Sequence, residues 1–125
     1  MQHFITQYIS EIGKLYKTGN ATEHSYRPAL KSLFESIFTS KKMQIVNEPQ
    51  RIKCGAPDYV LTNKNNIPFA YIEAKDIDKD LNDKEYREQF ERYKTSLDNL
   101  IITDYLLFQL FHNGEKISEV RIGNT

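Results

Sequence analysis

The chain has 125 residues, and its 17 lysines plus arginines balance 17 aspartates plus glutamates, so the formal net charge is zero. This length is one domain with room for a hydrophobic core, and the charge balance excludes a protein that holds nucleic acid by global basic excess. Cys54 is the single cysteine, which excludes an internal disulfide and a cysteine-rich zinc site and fits a reducing cytoplasm. No apolar run reaches the length of a membrane span and the amino terminus lacks a signal-peptide layout, so the expectation is a cytoplasmic chain with no membrane partner.

Phe4, Ile5, Tyr8, Ile9, Ile12, Leu15 and Tyr16 recur at three- and four-residue intervals, the pattern of an amphipathic helix, which Gly19-Asn20 ends. Its apolar stripe reads as core, with docking of a neighbouring domain by residues 1–17 the minor alternative. Pro28 is tolerated in a first helical turn, so a second helix is expected from near Ser25 to about Thr39, burying Leu30, Leu33, Phe34, Ile37 and Phe38. Glu23, His24 and Arg27 lie at its mouth. A helix amino terminus favours anions, which makes Arg27 a candidate phosphate contact. His24, with no second ligand nearby, reads as a surface residue.

Gln44 to Glu48 and Arg51 to Cys54 are β-prone pieces around Pro49, one of which is expected beside the hairpin that follows. That hairpin, Gly55 to Lys75, organises the chain: two β-rich runs flank Lys64-Asn65-Asn66, with Gly55 giving backbone freedom before Pro57-Asp58. A turn centred on Asn65 and Asn66 sets Thr62 opposite Phe69, Val60 opposite Tyr71 and Asp58 opposite Glu73. Opposed residues share a face and side chains alternate, so Lys75 emerges beside Glu73.

Asp76 to Asp83 reads as a solvated acidic loop, with Asp83 capping the next helix. There Tyr86, Phe90, Tyr93 and Leu97 form the buried stripe and Glu88 and Arg92 an exposed i, i+4 pair. Leu100 to Thr103, Tyr105 to Phe111 and, after an Asn113-Gly114 turn, Lys116 to Ile122 are further strands. The order predicts an α/β fold, a central mixed sheet flanked by helices on both faces.

Two carboxylates facing each other repel unless a hard cation separates them. Mg²⁺ takes one or two protein carboxylates and keeps positions for water and phosphate oxygens, which suits Asp58 and Glu73 with the Ala74 backbone carbonyl as a further ligand. Lys75 then sits beside a metal-bound water. It fits an electrostatic stabiliser better than a free base, because nearby carboxylates favour the charged amine. Gln89 and Tyr93, one helical turn apart, can reach the site's edge to hydrogen-bond a phosphate or orient Lys75.

Pro57-Asp58 followed by Glu73-Ala74-Lys75 resembles the PD-(D/E)xK nucleases, and Gln89-Phe90-Glu91-Arg92-Tyr93 resembles the QxxxY motif of their RecB-like members. Ala21 to Pro28, Asn47-Glu48-Pro49, Cys54 to Tyr59 and Tyr71 to Lys75 look like the amino-terminal nuclease domain of single-chain Type ISP restriction-modification enzymes. The resemblance implies a restriction-endonuclease-like core over residues 1–125, one nuclease domain of a larger restriction enzyme whose motor, methyltransferase and target-recognition domains lie elsewhere. It also implies hydrolysis of double-stranded DNA with Mg²⁺ or Mn²⁺, with Asp58, Glu73, Lys75, Gln89 and Tyr93 as catalytic residues and Glu23 as an added metal ligand. The alternatives are a catalytically silent DNA-binding or partner-docking module of the same fold, and a purely structural interaction domain. No base-contacting motif is evident, which assigns any sequence specificity to another domain.

Overall fold

The structure, a computed structural model, describes residues 2–38, 43–47, 52, 54–77 and 79–124, with the side chains among them except those of Gln2, Glu23 and Asn47. Helices α1 (Gln2–Lys17) and α2 (Glu23–Phe38) precede strands β1 (Gln44–Asn47), β2 (Tyr59–Thr62) and β3 (Pro68–Ala74). Helix α3 (Lys84–Ser96) and strands β4 (Asn99–Thr103), β5 (Leu107–His112) and β6 (Glu115–Arg121) complete the chain. The six strands form one sheet in sequence order. All neighbours are antiparallel except β3 and β4, which run parallel and are joined through α3, since parallel strands need a long crossover. The predicted α/β fold with a mixed sheet is what the chain adopts. Of the proposed strand piece Arg51 to Cys54, Arg51 and Lys53 lie outside the described residues, as does the Thr39 end of the second helix, while Ile52 forms only an isolated bridge with Gly55 and Cys54 lies in a turn.

Alternation along the central strands divides the core in two. Ala70, Ile72 and Ala74 of β3 join Tyr59 and Leu61 of β2 in a cluster under α1 and α2, with Tyr8, Ile12, Tyr26, Leu30 and Leu33 from the helices. Tyr71 points the other way, into a cluster of Leu100, Ile102, Phe111, Phe90 and Tyr93 under α3. Helices therefore cover both faces, and β3 is buried on each side, as a central strand must be. Glu73 shares its face with Tyr71 and is flanked across the parallel pairing by Ile102, so its carboxylate lies under α3.

Two local expectations change. Helix α2 begins at Glu23, not near Ser25, and Pro28 falls in its second turn. The entry is stabilised by Ser25, whose N–H donates to Thr22 O at 2.9 Å while its hydroxyl accepts from the Thr22 N–H at 3.1 Å. The hairpin turn is built on Lys64-Asn65 with Asn66 at φ 62°, closed by Asn66 N–H to Asn63 O and Asn63 N–H to Ile67 O. Thr62 consequently pairs with Pro68, not Phe69, and a bulge between Leu61 and Thr62 restores the expected register, so Val60 does face Tyr71. Two one-residue offsets cancel before the site is reached.

The connection from Asp76 to Asp83 is anchored, not fully solvated: Ile77 is buried under α1 and α2, and Leu81 under α3. At the far end of β4 a tight turn holds Tyr105 at φ 78° with its side chain fully buried. Asp104 Oδ1 accepts from the Leu106 and Leu107 N–H groups, and Tyr8 donates to the Tyr105 carbonyl at 2.6 Å, tying α1 to the sheet. The neighbouring Thr103 carbonyl accepts from the Lys75 N–H at 2.9 Å, which fixes the backbone just past β3.

Candidate active site

Asp58, Glu73 and Lys75 meet at the end of β3. The Tyr59–Ile72 pair is the last rung of the β2–β3 ladder, and Asp58 lies in the bend before it, preceded by the fully buried Pro57. Its side chain replaces the missing rung: the Ala74 N–H donates to Asp58 Oδ2 at 2.8 Å. Asp58 is thus set against the backbone beside Glu73 by a hydrogen bond to its own carboxylate rather than by strand pairing. Its Oδ1 accepts from Arg27 Nη2 at 2.6 Å, with the two side chains only 10% and 12% exposed. Sequence reasoning placed Arg27 at the helix mouth, open to phosphate; folding buries it against Asp58.

Lys75 Nζ lies 3.3 Å from Glu73 Oε2, and this pair is equally enclosed, with the Glu73 side chain 5% exposed. The ammonium also stands over two rings of α3, 4.9 Å from the centroid of Tyr86 and 5.9 Å from that of Phe90. Aromatic faces attract a cation electrostatically, so Lys75 is held from three sides. Tyr86 entered the sequence reading only as a core residue; its position one helical turn before Phe90 was the available signal, given that Lys75 and this stripe face each other.

Asp83 caps α3 as expected, accepting from the Glu85 N–H at 3.0 Å. Further along, Gln89 Nε2 donates a long 3.5 Å hydrogen bond to the Tyr93 hydroxyl. That phenol is pressed against Gly55, which has a φ of 137° and forms an isolated bridge with Ile52. Arg92, besides its pair with Glu88, donates to the Cys54 carbonyl at 2.6 Å, clamping the segment before Asp58 to α3. Gln89, Tyr93, Glu73 and Lys75 therefore share the α3 side of the sheet, while Asp58 and Arg27 lie at its edge toward α2. His24 is exposed, and the Glu23 side chain lies outside the described atoms.

Electrostatics join these groups. Burial pushes the Asp58 carboxyl above its ordinary range, opposed in turn by the Ala74 hydrogen bond and by the positive charges of Arg27 and Lys75. Burial and then the Glu73 charge raise the Tyr93 phenol and favour its neutral form, opposed by the hydrogen bond that Gln89 donates to its oxygen. The donor set of two carboxylates suits a hard divalent cation. Among the described residues no three histidine, cysteine, aspartate or glutamate side chains converge as a ready-made cage for a metal ion.

No protein-family model and no curated protein matches this chain. Among solved structures it is similar to a chain in a cryo-EM structure of a DrdV–DNA complex, with a TM-score of 0.81 and 23% sequence identity. The match covers 99% of this chain but 12% of that one. At this identity the likeness shows the fold alone, an α/β architecture shared over nearly the whole of this chain. No helix among the described residues is long and apolar enough to cross a membrane.

Proposed function

We propose that the chain is a metal-dependent DNA nuclease domain that hydrolyses phosphodiester bonds, the cleavage module of a restriction enzyme whose other domains supply translocation, methylation and target choice. The observation that carries this reading is the joint placement of Asp58 on the Ala74 N–H and of Lys75 against Glu73. A purely structural domain has no use for two carboxylates and an amine gathered at one buried strand end, where desolvation makes each costly. The likeness to a chain solved with DNA supports DNA as the partner.

Asp58 and Glu73, with the Ala74 carbonyl, would hold Mg²⁺ or Mn²⁺; Glu23 is the further candidate ligand. When bound, such an ion lowers the pKa of a coordinated water and offsets charge on the phosphoryl group. Lys75, aimed by Tyr86 and Glu73, positions the attacking water and stabilises the developing negative charge. Tyr93 and Gln89 donate hydrogen bonds to a phosphate oxygen or to the groups that orient Lys75.

A second reading, a silent module of the same fold, is favoured by one observation: both Asp58 oxygens already have partners, Arg27 and the Ala74 N–H. Incubating the purified chain with supercoiled plasmid separates the two. The nuclease reading expects nicking with Mg²⁺ or Mn²⁺, none with chelator, and none for Glu73→Gln or Lys75→Met variants that remain folded. DNA binding without nicking under every metal condition supports the silent module instead.

A further inference from the structure

We infer that Arg27 is a resident counter-ion for Asp58, and that a divalent cation must compete with it, so that this ion pair sets the metal concentration at which the site fills. The inference rests on the metal-dependent reading above. A carboxylate buried at the end of a sheet needs a positive partner whether or not a metal is bound. Arg27 supplies one from within the chain, 2.6 Å from Oδ1, and both side chains are about nine-tenths enclosed.

The guanidinium is delivered by a fixed piece of backbone. Tyr59, the first residue of β2, donates from its hydroxyl to the Arg27 carbonyl at 3.2 Å. The preceding residue, Tyr26, packs its ring 5.1 Å from that of Tyr105. These contacts hold the start of α2 against the sheet, so the pair is a built contact between elements 31 residues apart, unlike a surface arginine that samples many partners. Arginine is always charged and its planar fork matches a carboxylate.

The consequence is competition. A cation approaching Asp58 meets a carboxylate whose Oδ1 is charge-paired with Arg27 and whose Oδ2 accepts the Ala74 N–H. It must share the group with an adjacent positive charge or displace it. Phosphate oxygens are alternative acceptors for the same guanidinium, so Arg27 acts on the metal through Asp58 and is a positioning residue.

Binding of Mn²⁺ to the 125-residue chain without DNA, measured by calorimetry or electron paramagnetic resonance, tests this. Arg27→Met is expected to bind Mn²⁺ roughly tenfold more tightly than the wild type, and Arg27→Lys to stay near it, since a charge-assisted hydrogen bond to Asp58 is what the cation no longer opposes. Equal or weaker binding by Arg27→Met overturns the inference. Should that variant not fold, nuclear magnetic resonance of the wild-type arginine side chains decides: the Arg27 guanidinium signals shift as Mg²⁺ is added, and unchanged signals at Mg²⁺ saturation overturn it. If neither wild type nor Arg27→Met binds Mn²⁺, the metal-dependent reading fails as well; if both bind equally, only the competition does.

Discussion

Gly55 and Tyr93 are in contact so close that a Cβ on Gly55 would stand 2.9 Å from the Tyr93 hydroxyl oxygen. The glycine also sits at φ 137°, a conformation that L side chains rarely adopt. Gly55→Ala is therefore expected to lower stability by about 1–3 kcal/mol, read as a lowered midpoint in chemical denaturation. The proposed nuclease role of Tyr93 predicts reduced nicking as well, because the phenol is displaced. A Gly55→Ala chain as stable as the wild type contradicts the contact.

Tyr86 holds Lys75 through the face of its ring, 4.9 Å away. A desolvated cation–π contact contributes about 1–2 kcal/mol, so Tyr86→Leu is expected to slow nicking by roughly five- to thirtyfold. Tyr86→Phe keeps the ring and should keep most of the rate. Steady-state nicking of the two variants, compared at equal folded fraction, checks it; equal rates for all three chains remove Tyr86 from the account.

Asp58→Ala leaves Arg27 buried without its carboxylate. Removing one member of an enclosed ion pair costs about 3–5 kcal/mol, and at 10% and 12% side-chain exposure solvent screens this pair little. Thermal unfolding should show Asp58→Ala markedly less stable than Asp58→Asn, which keeps an acceptor for the Ala74 N–H. Lost activity in Asp58→Ala thus mixes two effects, which is why Glu73→Gln and Lys75→Met are the cleaner tests of chemistry.

Alkaline pH probes the core. Burial holds the phenols of Tyr8 and Tyr105 far above the ordinary value of 10.0, reinforced in each by neighbouring Tyr59; burial and Glu73 raise Tyr93. In the unfolded chain these groups ionise near pH ~10. Above that pH the folded state binds more protons than the unfolded one, so their contribution to stability is complete below it and is lost as pH rises. An absorbance titration should show fewer than the eight tyrosines of the chain ionising near pH 10, the remainder appearing with unfolding. Ionisation of all eight near pH 10 in a still-folded chain contradicts this.

The elements that the sequence made legible are those where one periodicity dominates. The stripe Tyr86, Phe90, Tyr93 and Leu97 and the cap at Asp83 specify α3, and Asn113-Gly114 specifies the last hairpin, with φ 50° and 84° at the two turn residues. The β2–β3 register was readable at Val60 and Tyr71 even though the turn is one residue off, because the bulge at Leu61 and Thr62 compensates. What pattern could not reveal were partners distant in the chain. Arg27 reaches Asp58 through the docking of α2 on β2, a tertiary event with no periodic signature. Ile77 and Leu81 likewise anchor a segment whose charges suggested solvent. Tyr105 adopts φ 78° in a turn whose backbone groups are hydrogen-bonded by the Asp104, Thr103 and Tyr8 side chains.

The central claim is that Asp58 and Glu73 together grip a divalent cation. Crystals of the chain soaked in Mn²⁺, with anomalous scattering recorded at the manganese edge, address it directly. The account predicts a peak between the two carboxylates, next to the Ala74 carbonyl and lost in Glu73→Gln. A fully occupied peak elsewhere, or none at a Mn²⁺ concentration that supports nicking, would contradict it.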